Sequence, residues 1–309
     1  SLQNMNNNIN TQVYAQKVEL LLRLMPIVME EGVFAVHGGT AINLFLKDLP
    51  RYSVDIDLTY IPLADRAESL ADINLHLQSI SEKAKKAFKG MHIVSNYSTC
   101  KLLCEYRGKQ VKVEVNQTKR GLVGGEAVTV PLSDKAQDEF GLYCEANIVP
   151  LTLLYGGKIA AALSRQHPRD LFDVKYMDFP LSDCREGLIF CLLGSDRPIH
   201  ESFAPRLIDQ REAMANQFEG MTDISFTYEE FEATRSKLIA DVNQLMTEDD
   251  KRFLISFEKG EPQWDGYEFE YFKDYPSVKW KLINLAKLAK QNPQKLVEEA
   301  CKLELLCGI

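Results

Sequence analysis

The stretch FAVHGGTAINLFLKDLPRYSVDIDLTY, residues 34–60, places two aspartates inside a segment whose other residues favour a β-strand. Aspartate is depleted in strands, and two like charges side by side on a sheet repel each other. Residues i and i+2 of a strand share a face, so Asp55 and Asp57 project together while the apolar residues between and beside them pack behind the strand. We therefore expect a bound cation to compensate the repulsion.

A third acid is predicted on a later strand. In QVKVEVNQ, residues 110–117, three valines alternate with Lys112, Glu114 and Asn116, which indicates a strand with its valines inward and Glu114 on the polar face. Carboxylate oxygens are the ligands that Mg²⁺ prefers, and Mn²⁺ is the alternative. Asp55, Asp57 and Glu114 are thus the candidate metal ligands. Two metal ions about 3.5–4 Å apart would suit in-line displacement at phosphorus.

Gly38, Gly39 and Thr40 lie between a predicted strand and a predicted helix. Backbone N–H groups at such a helix start can bind phosphates, so these residues are candidates for holding a triphosphate. Ser53 precedes Asp55 by two residues on the same strand face, which makes it a candidate for a phosphate contact; the resemblance given below adds the possibility that it receives a transferred group. His37 directly precedes the glycines, and we expect it to be structural.

The order of elements predicts an α/β fold. Strand-like runs are expected at 33–38, 53–61, 91–98, 100–108 and 109–117, a helix at 65–88, and a further strand within 141–151. From Leu151 onward the pattern is mainly helical. We expect a small mixed β-sheet flanked by helices with a mainly helical C-terminal half. The predicted domains are 1–178 and 179–309, because residues 1–177 carry net charge +1 and the remainder carries −9.

Composition excludes several classes of protein. The 309 residues contain no apolar run of 18, and the N-terminus SLQNMNNNIN is polar, so we expect no membrane span, no signal peptide and a cytoplasmic location. Seven cysteines without a C-x-x-C pair predict reduced thiols and no zinc site.

The order of these motifs resembles the nucleotidyltransferase superfamily of DNA polymerase β type. Within it, the chain is most similar to the AbiEii/AbiGii toxin family, which includes MenT-type toxins. The resemblance is carried by HGGTAINLF (37–45), RYSVDIDL (51–58), VKVEV (111–115) and KIAAALSRQHPRDLFDV (158–174). Two departures are a threonine at position 40, where serine is more common, and a long gap between Thr40 and Asp55.

The last of these segments has its own local pattern. Lys158 and Arg165 are seven residues apart and share a face if residues 157–166 are helical. Pro168 can open the next helix, which places Arg169, Asp170 and Asp173 in its first turn. For Asp173 we favour a simple interaction with the helix dipole.

The resemblance implies a nucleotidyltransferase fold and transfer of a nucleoside monophosphate from an NTP, with pyrophosphate leaving. It implies that the acceptor is the 3′ end of tRNA and that the protein is a growth-arresting toxin with an antitoxin encoded nearby. Lys158 would bind the triphosphate, and Glu114 would also activate the acceptor hydroxyl. The implied catalytic residues are Asp55, Asp57, Glu114, Lys158 and Asp170. The implied nucleotide-binding residues are Gly38, Gly39, Thr40, Ser53, Lys158, Arg165 and Arg169.

An RNA acceptor requires local positive charge, because the chain as a whole carries net charge −8. Residues 81–120 have ten basic and three acidic residues, net +7. We expect the lysines of the helix at the start of this stretch, Lys83, Lys85, Lys86 and Lys89, to guide RNA toward the metal site. This route requires the helix to lie on the same side of the sheet as Asp55 and Asp57.

Two alternatives stay open. The acceptor could be a protein or a small molecule such as an aminoglycoside, which leaves the chemistry unchanged. The chain could instead be a nucleotide-binding regulator without turnover, although a pure binder has no need for three acids.

Overall fold

The computed structural model describes residues 2–309, and of Gln3 the backbone alone. The strands are β1 Phe34–His37, β2 Asp55–Tyr60, β3 His92–Asn96, β4 Lys101–Tyr106, β5 Lys109–Val115, β6 Val128–Pro131 and β7 Glu145–Ile148. The helices are α1 Leu2–Met29, α2 Gly38–Thr40, α3 Arg66–Ala87, α4 Asp134–Phe140, α5 Leu151–Arg165, α6 Pro168–Lys175, α7 Arg185–Leu193, α8 His200–Phe203, α9 Arg211–Ala213, α10 Tyr228–Leu245, α11 Glu248–Glu258, α12 Pro276–Gln291 and α13 Pro293–Cys307. A π-helical turn, Ala41–Leu46, continues α2.

The seven strands form one mixed sheet in the order β3-β4-β5-β2-β1-β7-β6. Strand β2 pairs in parallel with β5 and antiparallel with β1, which in turn pairs in parallel with β7. The β4–β5 hairpin turns at Arg107 and Gly108, whose φ angles of 49° and 77° suit a two-residue turn. The central position of β2 puts the two aspartates in the middle of the sheet.

Helices α1 and α3 cover one face of this sheet. In α1 the residues that are fully buried recur with helical spacing, at Val18, Leu21, Leu24, Met25 and Val28. This stripe packs against β5 and β7, and α3 packs against β3 and β4. Helix α1 continues through a proline at position 26 to Met29 instead of ending there.

The chain divides into two compact units. The first contains the residues up to Pro150 together with Glu212–Phe226, and the second contains Leu151–Arg211 and Thr227–Ile309. The segment Glu212–Phe226 is joined to the rest of the first unit by a backbone hydrogen bond, in which Tyr52 N donates to the Met221 carbonyl at 2.7 Å. The predicted domain boundary after residue 178 lies inside the second unit, and it stays a prediction.

The expected fold class is confirmed: a small mixed sheet is flanked by helices, and the chain is mainly helical after Leu151. Strand β6 and helix α4 were not expected, since both are short and three of the four β6 residues are exposed. No helix within residues 2–309 is long and apolar enough to cross a membrane.

Candidate active site

One face of the sheet, here called the acid face, carries Asp55 and Asp57. Their strand neighbours Ile56 and Leu58 are fully buried on the opposite face, as the alternating pattern predicts. Both aspartates are half-buried. They therefore lie where a solvent-borne ligand can reach them.

Strand β5 adds the third acid to the same face. In the parallel pairing of β2 with β5, Asp57 lies beside Glu114 and Asp55 lies beside Lys112. The valines of β5, at positions 111, 113 and 115, are buried on the other side. The structure thus brings Asp55, Asp57 and Glu114 onto neighbouring strands, on one face, as the sequence indicated.

Glu114 is held by two lysines. Lys112 Nζ lies 3.0 Å from Glu114 Oε2, and Lys101 Nζ lies 3.6 Å from Glu114 Oε1. Burial by itself would lower the pKa of Lys112. Its hydrogen bond to Glu114 and the charges of Asp55, Glu114 and Asp57 outweigh burial and raise that pKa. Lys112 is therefore a charged neighbour of all three acids.

These contacts bear on the metal site. Within residues 2–309, no three His, Cys, Asp or Glu side chains are placed to hold one metal ion. Glu114 contacts Lys101 and Lys112. By their chemistry, Asp55 and Asp57 fit a hard cation, because they are half-buried carboxylates that share a face. Glu114 would have to leave its lysines to join them.

The glycine loop lies directly beside Asp57. Gly38 has φ +76°, and a Cβ there would lie 3.1 Å from Asp57 Oδ2. Both the backbone conformation and the space therefore favour glycine at this position. This close approach puts the start of α2 next to the aspartates, as a phosphate-binding loop requires.

Thr40 and Ser53 tie the loop to β2. The Thr40 hydroxyl donates to the Asp55 carbonyl, so Ser53 Oγ is the donor in the 2.8 Å bond between the two hydroxyls. Ser53 is 8% exposed. Its proposed contact with a phosphate stays a prediction. His37 Nδ1 lies 2.9 Å from Thr59 Oγ1, in keeping with a structural role.

Arg51 is a residue that the sequence analysis missed. It is buried, and its Nη2 would lie 2.4 Å from a Cβ on Gly39. Its Nη1 donates to the Tyr52 carbonyl at 2.9 Å. The only signal for this role in the sequence was the presence of a basic residue soon after the glycine loop. The sequence does not show that the chain folds back and places Arg51 against Gly39.

Gly39→Ala is expected to impair nucleotide binding through displacement of Arg51. Gly39, unlike Gly38, has no positive φ, so the main obstacle to alanine is the close approach of the Arg51 guanidinium, with Ser53 Oγ a lesser one at 3.2 Å. In a double-mutant cycle with Arg51→Ala, the two changes should couple by at least about 0.5 kcal/mol, since they share this contact. Titration of a fluorescent NTP analogue would measure the effect of each variant on NTP binding, and urea unfolding would measure its effect on stability.

Gly157→Ala is the matched control for this change. A Cβ at Gly157 meets only Cys191 Sγ at 3.9 Å, an ordinary contact within a helix. It should leave NTP binding unchanged and stabilise α5 slightly. Additive effects of Gly39→Ala and Arg51→Ala would show that the predicted contact does not matter.

In the second unit, Lys158 is the centre of a buried charge cluster. Its Nζ lies 3.0 Å from both Asp170 Oδ1 and Asp173 Oδ2, and its side chain is 6% exposed. Burial would raise the pKa of Asp170, but the charges of Lys158 and Arg165 lower it. Asp173 is therefore a buried ion-pair partner, which the dipole interpretation of this residue did not anticipate.

The remaining predicted residues of this unit lie around the same turn. Arg165 Nη2 is 3.0 Å from Asp170 Oδ2, and its side chain is 62% exposed. Pro168 opens α6, as expected, and His167 caps the helix by accepting from Arg169 N at 3.1 Å. Lys158 and Arg165 were expected to share a face of one helix, and both contact Asp170 in the first turn of α6.

Comparison with known proteins identifies the family. A sequence model described as nucleotidyl transferase AbiEii toxin, type IV TA system, matches residues 19–284. The chain belongs to the AbiEii nucleotidyltransferase toxin family. An AbiEii protein is a nucleotidyltransferase toxin of a type IV toxin–antitoxin system, which implies an NTP substrate and an antitoxin partner.

A solved structure shares the fold. MenT4, a nucleotidyltransferase toxin from Mycobacterium tuberculosis H37Rv, superimposes with a TM-score of 0.57 at 15% identity. The match covers 89% of this AbiEii chain and 93% of MenT4. At this identity the likeness concerns the fold alone. No curated protein matches the sequence.

The lysines expected to guide RNA in this AbiEii protein lie on the wrong face. Helix α3 packs on the side of Ile56, Leu58 and Tyr60: the Tyr60 hydroxyl donates to Asp72, and His76 meets the Phe34 ring edge-on at a centroid distance of 5.9 Å. This is the face opposite Asp55 and Asp57.

Lys83 on this helix is also engaged elsewhere, 2.8 Å from Glu31 and 3.1 Å from Glu30 after the end of α1. Net charge along the sequence could not distinguish the two faces of the sheet. The predicted α3 route for RNA is therefore corrected.

Proposed function

We propose that this toxin transfers a nucleoside monophosphate from an NTP to the 3′ end of tRNA, with pyrophosphate as the leaving group. The observation that carries the proposal is the grouping of Asp55, Asp57 and Glu114 on adjacent strands beside the glycine loop. The family supports the transfer of a nucleotide. The tRNA acceptor is supported by the resemblance alone.

Asp55 and Asp57 are the residues proposed to hold Mg²⁺, or Mn²⁺ in its place. When bound, such an ion neutralises charge on the α-phosphate and favours attack by a hydroxyl. The amides of Gly38, Gly39 and Thr40 would bind the other phosphates. Arg51, which lies against Gly39, would hold the glycine loop in position.

Glu114 is the proposed general base. A carboxylate that accepts the proton of the attacking 3′ hydroxyl raises the nucleophilicity of that oxygen. The proton would go to an oxygen of Glu114 that now accepts from Lys112 or pairs with Lys101. This step therefore requires the lysines to find another partner.

The roles that the resemblance gives to residues of the second unit stay predictions. They are triphosphate binding by Lys158, with Arg165 and Arg169, and a polar role for Asp170. Arg165 is the most accessible of the cations in this cluster, with a side chain 62% exposed.

The test is an acceptor screen. The purified protein is incubated with Mg²⁺ and each α-labelled NTP in turn, together with deacylated total tRNA, a protein lysate or an aminoglycoside. We expect label on tRNA, with one NTP preferred. Label only on protein or on the aminoglycoside would move the function to that acceptor, and NTP binding without any labelling would favour the regulator.

A further inference from the structure

We propose that Lys101 and Lys112 form the subsite for a backbone phosphate of the acceptor RNA. This inference rests on the proposed function, because it deepens the acceptor half of that reaction. It replaces the α3 route, which the fold places on the opposite face of the sheet.

The register of four strand pairs puts the two lysines beside the acids. One row across the sheet runs from His37 through Asp57, Glu114 and Lys101 to Asn96. Neighbouring strands are about 4.8 Å apart, so Lys101 stands about 10 Å from Asp57 at the level of the backbone. A 3′ hydroxyl near Asp57 would bring the adjoining phosphodiester over this row.

A second row on the same face lies two residues away along each strand. It runs from Asp55 through Lys112 and Leu103 to Val94. Val94 is 49% exposed, and Leu103 is half-buried. These two side chains offer an apolar surface next to the lysines, on which the sugar or base of the terminal nucleotide could pack.

Lys101 and Lys112 are accessible to solvent on the acid face, whereas Lys109, the other basic residue of β4 and β5, is not on that face. The side chains of Lys101 and Lys112 are 38% and 34% exposed. Lys109 pairs with Tyr106, whose ring contacts Phe88 just after α3, and so belongs to the other end and face of the hairpin. Lys101 and Lys112 are thus the basic residues of β4 and β5 that share the acid face.

In the structure, the carboxylate of Glu114 pairs with both lysines. A backbone phosphate accepts charge-assisted hydrogen bonds from ammonium groups as a carboxylate does, so an arriving RNA can compete with Glu114 for both lysines. The same exchange would release Glu114 for the acceptor hydroxyl. Acceptor binding and the availability of the proposed base would then be linked.

The first experiment measures tRNA binding without chemistry. Fluorescence anisotropy of deacylated total tRNA, labelled at its 5′ end, is followed in EDTA without NTP. Lys101→Gln with Lys112→Gln should weaken binding by at least about fivefold and flatten the log–log salt dependence by about 0.7, the value for one phosphate contact on a single strand. The corresponding double arginine variant should retain binding.

The matched control is Lys85→Gln with Lys86→Gln. These exposed α3 lysines change the net charge by the same amount on the opposite face. They should leave the affinity within about twofold and the salt slope unchanged. Equal losses in the two double variants would show a general charge effect and overturn the subsite.

A second variant tests the exchange of partners. Glu114→Gln removes the carboxylate that holds both lysines, so it should strengthen tRNA binding in the wild-type background. It should have little effect once Lys101 and Lys112 are glutamines. The same gain in both backgrounds would mean that the acid merely repels RNA, and it would contradict the exchange.

Failure of this inference is distinguishable from failure of the proposed function. Wild-type protein that labels tRNA, with a lysine double variant that binds tRNA normally, would overturn the subsite alone. Wild-type protein that neither binds nor labels tRNA would overturn both.

Discussion

Replacing Asp57 by asparagine is expected to lower the rate of nucleotidyl transfer by about a thousandfold or more while the protein stays folded. Loss of one preorganised electrostatic contact costs about two to three orders of magnitude in comparable sites, and a metal ligand supplies several kcal/mol. Asp57 is half-buried and shares its face with Asp55, so removing one of two repelling charges should not unfold the sheet. Pyrophosphate release and thermal unfolding would be measured in parallel.

Glu105→Gln is the matched control for Asp57→Asn. Glu105 is an exposed acid of β4 that pairs with Gln110, outside the row that contains Asp57 and Glu114. Its loss removes the same charge from the same sheet and should change the rate by less than about twofold. Near-wild-type transfer by Asp57→Asn would show that the two-aspartate mechanism is wrong.

Lys158→Ala is expected to destabilise the protein by about 3–5 kcal/mol, because it removes the cation that two buried aspartates share, although Arg165 still contacts Asp170. Asp170 and Asp173 have side chains only 5% and 0% exposed, so their charges are poorly solvated once the ammonium is gone. The resemblance also predicts a raised NTP requirement. Urea unfolding and the dependence of transfer on NTP concentration measure the two effects separately.

A triple variant separates structure from binding. Lys158→Met with Asp170→Leu and Asp173→Leu replaces the buried charges together by apolar side chains, which is often neutral for stability. If Lys158 binds the triphosphate, the triple variant should regain stability but keep the raised NTP requirement. Recovery of normal NTP dependence would reduce Lys158 to a structural role.

Two further variants complete this comparison. Lys158→Arg should rescue NTP binding only in part, because a planar guanidinium does not replace a compact ammonium. Lys175→Ala removes a half-exposed lysine that pairs with Glu230. It should cost less than about 1 kcal/mol, as expected for an exposed pair.

Local patterns in the sequence predicted the strands and the acids well. Alternation in VDIDLTY and QVKVEV correctly gave the buried faces, with Ile56, Leu58 and Val113 inaccessible to solvent. The start of α6 at Pro168 was likewise predicted from a local signal. Alternation with a period of two shows on which face of its own strand a residue lies. This alternation was enough to predict that the acids lie on the polar faces of their strands.

The same period does not report which strands are neighbours or which helix covers which face. Only the pairing of β2 with β5 and of β5 with β4 placed Lys112 and Lys101 on Glu114. Only the packing of α3 beneath Tyr60 put its lysines on the far side of the sheet. Net charge counted along residues 81–120 sums both faces, so it could not separate them.

The acid pattern, the glycine loop and the order of elements can be derived from the amino-acid sequence, because each depends on residues within one strand or one turn. The contacts that those groups make depend on how distant segments of the chain pack together. This packing buried Lys158 between two aspartates and brought Arg51 against Gly39. It also returned residues 212–226 to the first unit, where Thr222 Oγ1 donates to the Pro50 carbonyl at 2.7 Å. Such contacts join residues distant in sequence, and local propensity carries no information about them.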